Sequence, residues 1–149
     1  MLVSEDIGGI SQGDGEMREV LFQKVQRLLE ETKYLEDNKE RFLGQMQNSL
    51  DVKKIVERSV FLCAEMALDI SDLLIVEKGF PKPATYRDAI YKLGEFNIVP
   101  KDFAYDFVYI AGLRNFLAHD YMKDTTPTLK EFLEKGLADI KEFINYVRK

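Results

Sequence analysis

The chain has 149 residues, 46% hydrophobic and 32% charged, with a formal net charge of −5, which suits one globular domain around a single buried core. The acidic balance disfavours indiscriminate binding to nucleic acid, because that binding comes from cations neutralising phosphates, so any such contact must be made at a small basic site. The one cysteine, Cys63, excludes an internal disulfide and a thiolate metal cluster of its own, and fits a reducing compartment.

Residues 1–15 carry four of the nine glycines and little periodicity, and they read as a flexible or loosely docked arm ahead of a domain spanning 16–149. Met1 to Gly9 has neither the basic start nor the apolar run of a secretory signal. No stretch is apolar for long enough to cross a bilayer, so a cytoplasmic location is expected.

From Glu16, the residues Leu21, Val25, Leu28, Thr32 and Leu35 recur at three- and four-residue spacing, which predicts a first amphipathic helix. Asp37 to Glu40 relaxes it, and Phe42, Leu43 and Met46 belong to a short turn or helix returning to the core. Ser49 is the expected N-cap of a second, longer helix, with Asp51 at the positive end of its dipole. Its apolar positions, among them Val52, Ile55, Val56, Leu62, Cys63, Met66, Ile70 and Leu74, are dense enough to pack on two neighbours. Glu65, Asp69 and Asp72 occupy the remaining face, which reads as a solvated acidic surface with Asp69 kept as a candidate.

Gly79 followed by Pro81 and Pro83 stops that helix. Thr85, with Asp88 three residues on, caps a short helix through Ala89, Ile90 and Leu93. Pro100 fits the first turn of the next helix, whose stripe of Phe103, Phe107, Ile110, Leu113 and Leu117 runs on to His119. Tyr121 to Pro127 is expected as a loop, and Thr128-Leu129-Lys130-Glu131 matches a capping box for the last helix. That helix has the stripe Phe132, Leu133, Leu137, Ile140, Phe143, Ile144 and Val147. No segment alternates with a period of two for long. The expected fold is all-α: an up-and-down four-helix bundle with an additional short helix.

The chemistry concentrates in Arg114-Asn115-Phe116-Leu117-Ala118-His119-Asp120-Tyr121, which holds the only histidine. At about 100° per residue, Arg114, Asn115, His119 and Tyr121 share one side of a helix, with the small Ala118 among them. A histidine at a helix C-terminus can be a structural cap favoured by the dipole, yet an arginine, an asparagine and a tyrosine on the same arc exceed what termination requires. Phosphoryl transfer needs a group that exchanges a proton near neutral pH, which imidazole provides. It also needs a fixed cation for the charge on phosphorus-bound oxygens, which the Arg114 fork supplies. Asn115 is suited to orienting the imidazole or holding a ribose hydroxyl, and Tyr121 to donating to phosphate or stacking on a base.

This octapeptide resembles the signature of the HEPN superfamily: arginine, four residues beginning with a polar one, histidine, one residue, tyrosine. The similarity to HepT-like toxins extends from Met17 to the C-terminus through the helix order, Asp69 with Ile70, and Tyr86 after the proline loop. The resemblance implies a metal-independent endoribonuclease toxin that forms a homodimer, its two motifs facing each other across a composite cleft. It assigns Arg114 and His119 as the catalytic pair, with Asn115, Tyr121 and Asp69 in support. The partner it implies is a minimal nucleotidyltransferase antitoxin, for which Tyr121 can be the acceptor of AMP. Added AMP would place bulk and negative charge where an RNA phosphate must sit. No cofactor and no metal is expected, since one histidine and one cysteine cannot build the usual ligand clusters. Two alternatives remain at this level: a non-catalytic HEPN module binding a nucleotide or a protein through the same cleft, and a purely structural dimerisation module. Cys63 is expected to be buried and unreactive.

Overall fold

The computed structural model describes residues 12–120 and 122–148. Those residues form helices α1 Gln12–Asp37, α2 Lys39–Gln45, α3 Leu50–Glu77, α4 Tyr86–Glu95, α5 Lys101–Phe107, α6 Tyr109–His119, α7 Thr126–Glu131 and α8 Leu137–Val147, with a π-helical turn at Phe132–Gly136 between the last two. No strand occurs among them. The architecture is the expected all-α bundle, with α1, α3, the α5–α6 unit and the α7–α8 unit as its four long members. The expected arm lies largely outside the described residues, and α1 begins at Gln12.

Helix α3 is the axis of the molecule, packing against α1, α2, α4, α6, α7 and α8. Its sequence explains why. Val56, Val60, Cys63, Ala64, Ala67, Leu68, Ile70 and Ile75 are fully buried, so the apolar surface wraps well beyond one stripe and neighbours must cover it on several sides. Leu21, Val25, Leu28 and Leu35 of α1 are buried, as are Phe132, Leu133, Leu137, Ile140, Phe143, Ile144 and Val147 of the C-terminal unit. Phe103, Phe107 and Phe143 continue the core as offset-stacked rings with centroids 5.0 and 5.1 Å apart, a favoured aromatic geometry. Cys63 is fully buried, and burial pushes its thiol up to about 12, which keeps it protonated and inert.

The helix ends follow local chemistry. The Ser49 hydroxyl accepts from the Val52 amide at 3.2 Å, and the Thr85 hydroxyl accepts from the Asp88 amide at 3.0 Å; each satisfies one of a helix's orphan donors. Gly79 has φ 91°, and the Phe80 amide donates to Ile75 O at 3.1 Å while the Gly79 amide donates to Val76 O at 2.9 Å. Those two bonds make a Schellman end, whose left-handed residue favours glycine. Asn97, with φ 58°, ends α4 in the same way through Asn97 to Gly94 and Ile98 to Leu93.

Three details depart from expectation. The stretch from Lys101 to His119 is two helices, α5 and α6, meeting at Val108, where the Ala111 amide bonds Val108 O three residues back. Pro100 is the N-cap residue of α5, one position ahead of the first turn. The capping box at Thr128 does not form: α7 begins at Thr126 with Pro127 in its first turn. Asp124 Oδ1 takes the Thr126 amide and hydroxyl at 3.1 and 2.9 Å, so the helix is started by an aspartate upstream and Thr128 falls inside it. The neighbouring Thr125 is buried and donates its hydroxyl to Glu57, clamping the α7 start to α3. No helix of the described residues is long and apolar enough to cross a membrane.

Candidate functional site

Helix α6 carries Arg114 in its middle turns and His119 at its C-terminal residue. Its apolar side, Ile110, Ala111 and Leu113, is buried, and this fixes the rotation at which the polar residues emerge. Arg114 emerges toward α3. Its Nε donates to Glu65 Oε1 at 2.8 Å, and its side chain keeps only 22% of its exposure, against 29% for Glu65. A second guanidinium nitrogen, Nη1, donates to Asn115 Oδ1 at 3.3 Å. The guanidinium carbon lies 5.7 Å from the ring centroids of both Phe61 and Tyr86, within reach of cation–π attraction. The hydrogen bond that Arg114 donates to Glu65 raises the Arg114 pKa further, so the cation is permanent.

Asp69 sits one helical turn beyond Glu65 on the same side of α3. It does not touch Arg114 directly. Its Oδ1 accepts the Tyr86 hydroxyl at 3.2 Å, and its Oδ2 lies 3.6 Å from Lys24 Nζ of α1. Tyr86 thus shares its ring with Arg114 and its hydroxyl with Asp69. Burial, then the neighbouring Asp69 and Glu65 charges, push the Tyr86 phenol up to about 12. The acidic side of α3 is therefore not the solvated surface that its charge suggests: Glu65 and Asp69 are occupied by partners on other helices, and Asp72 keeps one carboxylate oxygen, Oδ1, buried with no partner among the described residues.

His119 is exposed, and its side chain makes no hydrogen bond among the described residues. It stands where the helix ends, since the Asp120 amide still bonds Phe116 O at 3.0 Å but Asp120 itself has left helical geometry. At about 100° per residue the Arg114 and His119 side chains leave α6 roughly 140° apart. Asn115, also exposed, is held by Arg114. Tyr121 lies outside the described residues. The structure therefore joins Arg114, Asn115, Glu65, Tyr86 and, through Tyr86, Asp69, and leaves His119 in the open. A groove of about 430 Å³ beside α6 is lined by Tyr109, Gly112, Phe116 and Lys135 among others, and includes neither Arg114 nor His119. No group of three or more metal-ligating side chains occurs among the described residues.

Glu65 and Phe61 are the members that sequence reasoning did not assign to the site. Their signal was faint: 49 residues separate Glu65 from Arg114, so only the helix order relates them.

The family model described as Ribonuclease HepT-like matches residues 23–147. The mRNA nuclease HepT of Shewanella oneidensis is 23% identical over 86 residues, 58% of this chain and 65% of that protein. The tRNA nuclease HepT of Aphanizomenon flos-aquae is 31% identical over 74 residues, 50% of each chain. The chain thus spans between half and two thirds of the length of these two relatives. A solved structure of a tri-AMPylated Shewanella oneidensis HEPN toxin in complex with an MNT antitoxin superposes with a TM-score of 0.71 at 19% identity, over 84% of this chain and 96% of that one. That likeness shows the shared fold. Since the family model covers the described bundle almost from end to end, the chain belongs to the Ribonuclease HepT-like family.

Proposed function

We propose that this protein is the toxin of a toxin–antitoxin pair, a metal-independent endoribonuclease acting in the cytoplasm as a homodimer. The observation that carries this reading is the pairing of a fixed, permanently charged Arg114 with an exposed histidine on the same short helix. The nuclease names of the two HepT relatives support it.

One copy is half a site. Arg114 and His119 diverge by roughly 140° on α6, too far apart to grip one phosphate from a single helix. Two copies with their motifs face to face bring two arginines and two histidines to one cleft, a local positive site on an acidic protein. There one His119 takes the proton of a ribose 2′-hydroxyl, and the oxygen attacks the adjacent phosphorus. Arg114 neutralises the charge that builds on the non-bridging oxygens. The second His119, protonated, gives its proton to the departing 5′-oxygen. The products are a 2′,3′-cyclic phosphate and a 5′-hydroxyl. Asn115 supports the arginine, and Asp69 supports it through Tyr86.

The antitoxin of this reading is a nucleotidyltransferase of the MNT type, which transfers AMP to the Tyr121 hydroxyl. The AMPylated toxin complex of Shewanella oneidensis supports that choice. AMP two residues from His119 would occupy the phosphate position with bulk and like charge.

The test is cleavage of RNA by wild-type protein and by His119→Ala. Loss of cleavage by the variant, with melting unchanged, supports the nuclease; a non-catalytic binding module would leave RNA intact in both. Co-expression with an MNT-type nucleotidyltransferase, followed by intact-mass measurement, should add AMP steps that disappear in Tyr121→Phe.

A further inference from the structure

We propose that Glu65 is a positioning residue of this site, holding the Arg114 guanidinium by its Nε so that its Nη1–Nη2 end is presented to a substrate phosphate. The inference rests on the nuclease reading above and adds to it a residue from a helix the motif does not contain.

A guanidinium has five N–H donors in a rigid plane. In this structure the Nε donor goes to Glu65 and one Nη1 donor to Asn115, while Nη2 has no hydrogen-bond partner among the described residues. The plane is thereby fixed in two directions. An arginine on an exposed helix ordinarily samples many rotamers, and ordering it would have to be done at each encounter with substrate. Here the ordering is complete before substrate arrives, because Glu65 is itself on the central helix between Ala64 and Met66, which are buried. The Phe61 and Tyr86 rings, 5.7 Å from the guanidinium carbon, restrict it further, and Tyr86 is tethered by its hydroxyl to Asp69.

The direction of the contact matters more than its charge. A carboxylate on the Nη1–Nη2 edge would occupy the fork that binds phosphate bidentately. Glu65 takes Nε instead, so it fixes the fork without closing it. Its role is thus orientation, and the residue that best substitutes for it is one that keeps an acceptor oxygen at the same reach. Glutamine does so; alanine does not.

Wild-type protein, Glu65→Gln and Glu65→Ala should be compared in two measurements. Single-turnover cleavage of a short single-stranded RNA should fall about 100-fold in kcat for Glu65→Ala, as expected when a reacting group is misplaced by about an ångström. KM should change less than about threefold, and Glu65→Gln should recover to within about tenfold of wild type. In ¹⁵N-arginine spectra the Arg114 Nε–H signal, identified by its loss in Arg114→Lys, should exchange slowly in wild type and in Glu65→Gln and rapidly in Glu65→Ala. Unchanged kcat in Glu65→Ala, a change confined to KM, or a Glu65→Gln variant as slow as Glu65→Ala overturns the proposal. Should wild-type protein cleave no RNA, the nuclease reading falls and the exchange rates alone decide: equal exchange in all three proteins overturns positioning by Glu65, and protection lost only in Glu65→Ala sustains it. Thermal melting of each variant separates these effects from unfolding.

Discussion

Tyr86 of α4 and Asp69 of α3 are joined by a hydrogen bond of 3.2 Å, and the same tyrosine lays its ring against Arg114. The bond couples the site to alkaline stability. Burial and the Asp69 charge hold the Tyr86 phenol at about 12, above the value of about 10 of an unfolded chain. Below about pH 10 both states keep the proton and the contribution is fully present. As pH rises from there through about 12 the unfolded chain loses its proton first, so stability drains away over that window. Tyr86→Phe should lose about 0.5–1 kcal/mol at neutral pH and show a shallower alkaline decline. Urea melts of both proteins near neutrality and at about pH 11 measure it; parallel declines would remove the bond from the account.

The bundle was largely legible because its signals are local or periodic. Ser49 and Thr85 cap through their own hydroxyls, Gly79 adopts the left-handed turn that favours glycine, and every residue of the stripe from Phe132 to Val147 is buried. Thr128 misled because the helix starts earlier: Asp124 accepts the Thr126 amide at the head of α7, and Pro127 tolerates a first-turn position, so Thr128 already lies inside the helix. The site was legible only along α6. Helical phase puts Arg114, Asn115 and His119 on one arc, but the residue that decides how Arg114 points is Glu65. Spacing within one helix cannot show which turn of another helix will face it, and a paired glutamate carries the same letter as a solvated one.

Asp72 is a site of stored cost. Its Oδ1 is buried without a hydrogen-bond partner among the described residues. Burial raises its pKa, with Lys82 pulling it down and Asp69 pushing it up. Because the folded value is raised, the contribution of the protonated form is present at low pH and is lost as pH rises through that value, leaving the costly charged form at neutrality. Asp72→Asn should therefore stabilise the protein at pH 7 by up to about 1 kcal/mol, and the gain should shrink toward about pH 4. A variant less stable than wild type at pH 7 would show that the carboxylate has a favourable partner.

Two glycines should respond in opposite directions. At Gly136, in the π-helical turn, an added methyl collides with the ring of Phe132, which is itself buried. Gly136→Ala should cost about 1–3 kcal/mol, the range for overpacking a core. At Gly44, in α2 and exposed, the methyl meets nothing within 4 Å, so Gly44→Ala should gain up to about 1 kcal/mol in helix propensity. Thermal melts of the two variants provide the comparison, and a stabilised Gly136→Ala would mean that Phe132 has room to move.

Arg114→Lys separates charge from geometry. Lysine keeps a cation near Glu65, and the original pair is only partly buried, at 22% and 29% exposure, so stability should change by no more than about 1 kcal/mol. Cleavage should nonetheless fall about 100-fold or more. A single ammonium cannot give one donor to Glu65 at 2.8 Å and present a planar fork to phosphate in a second direction. If Arg114→Lys cleaves RNA within about threefold of wild type, the site needs only a positive charge, and the fork held by Glu65 is not what stabilises the transition state.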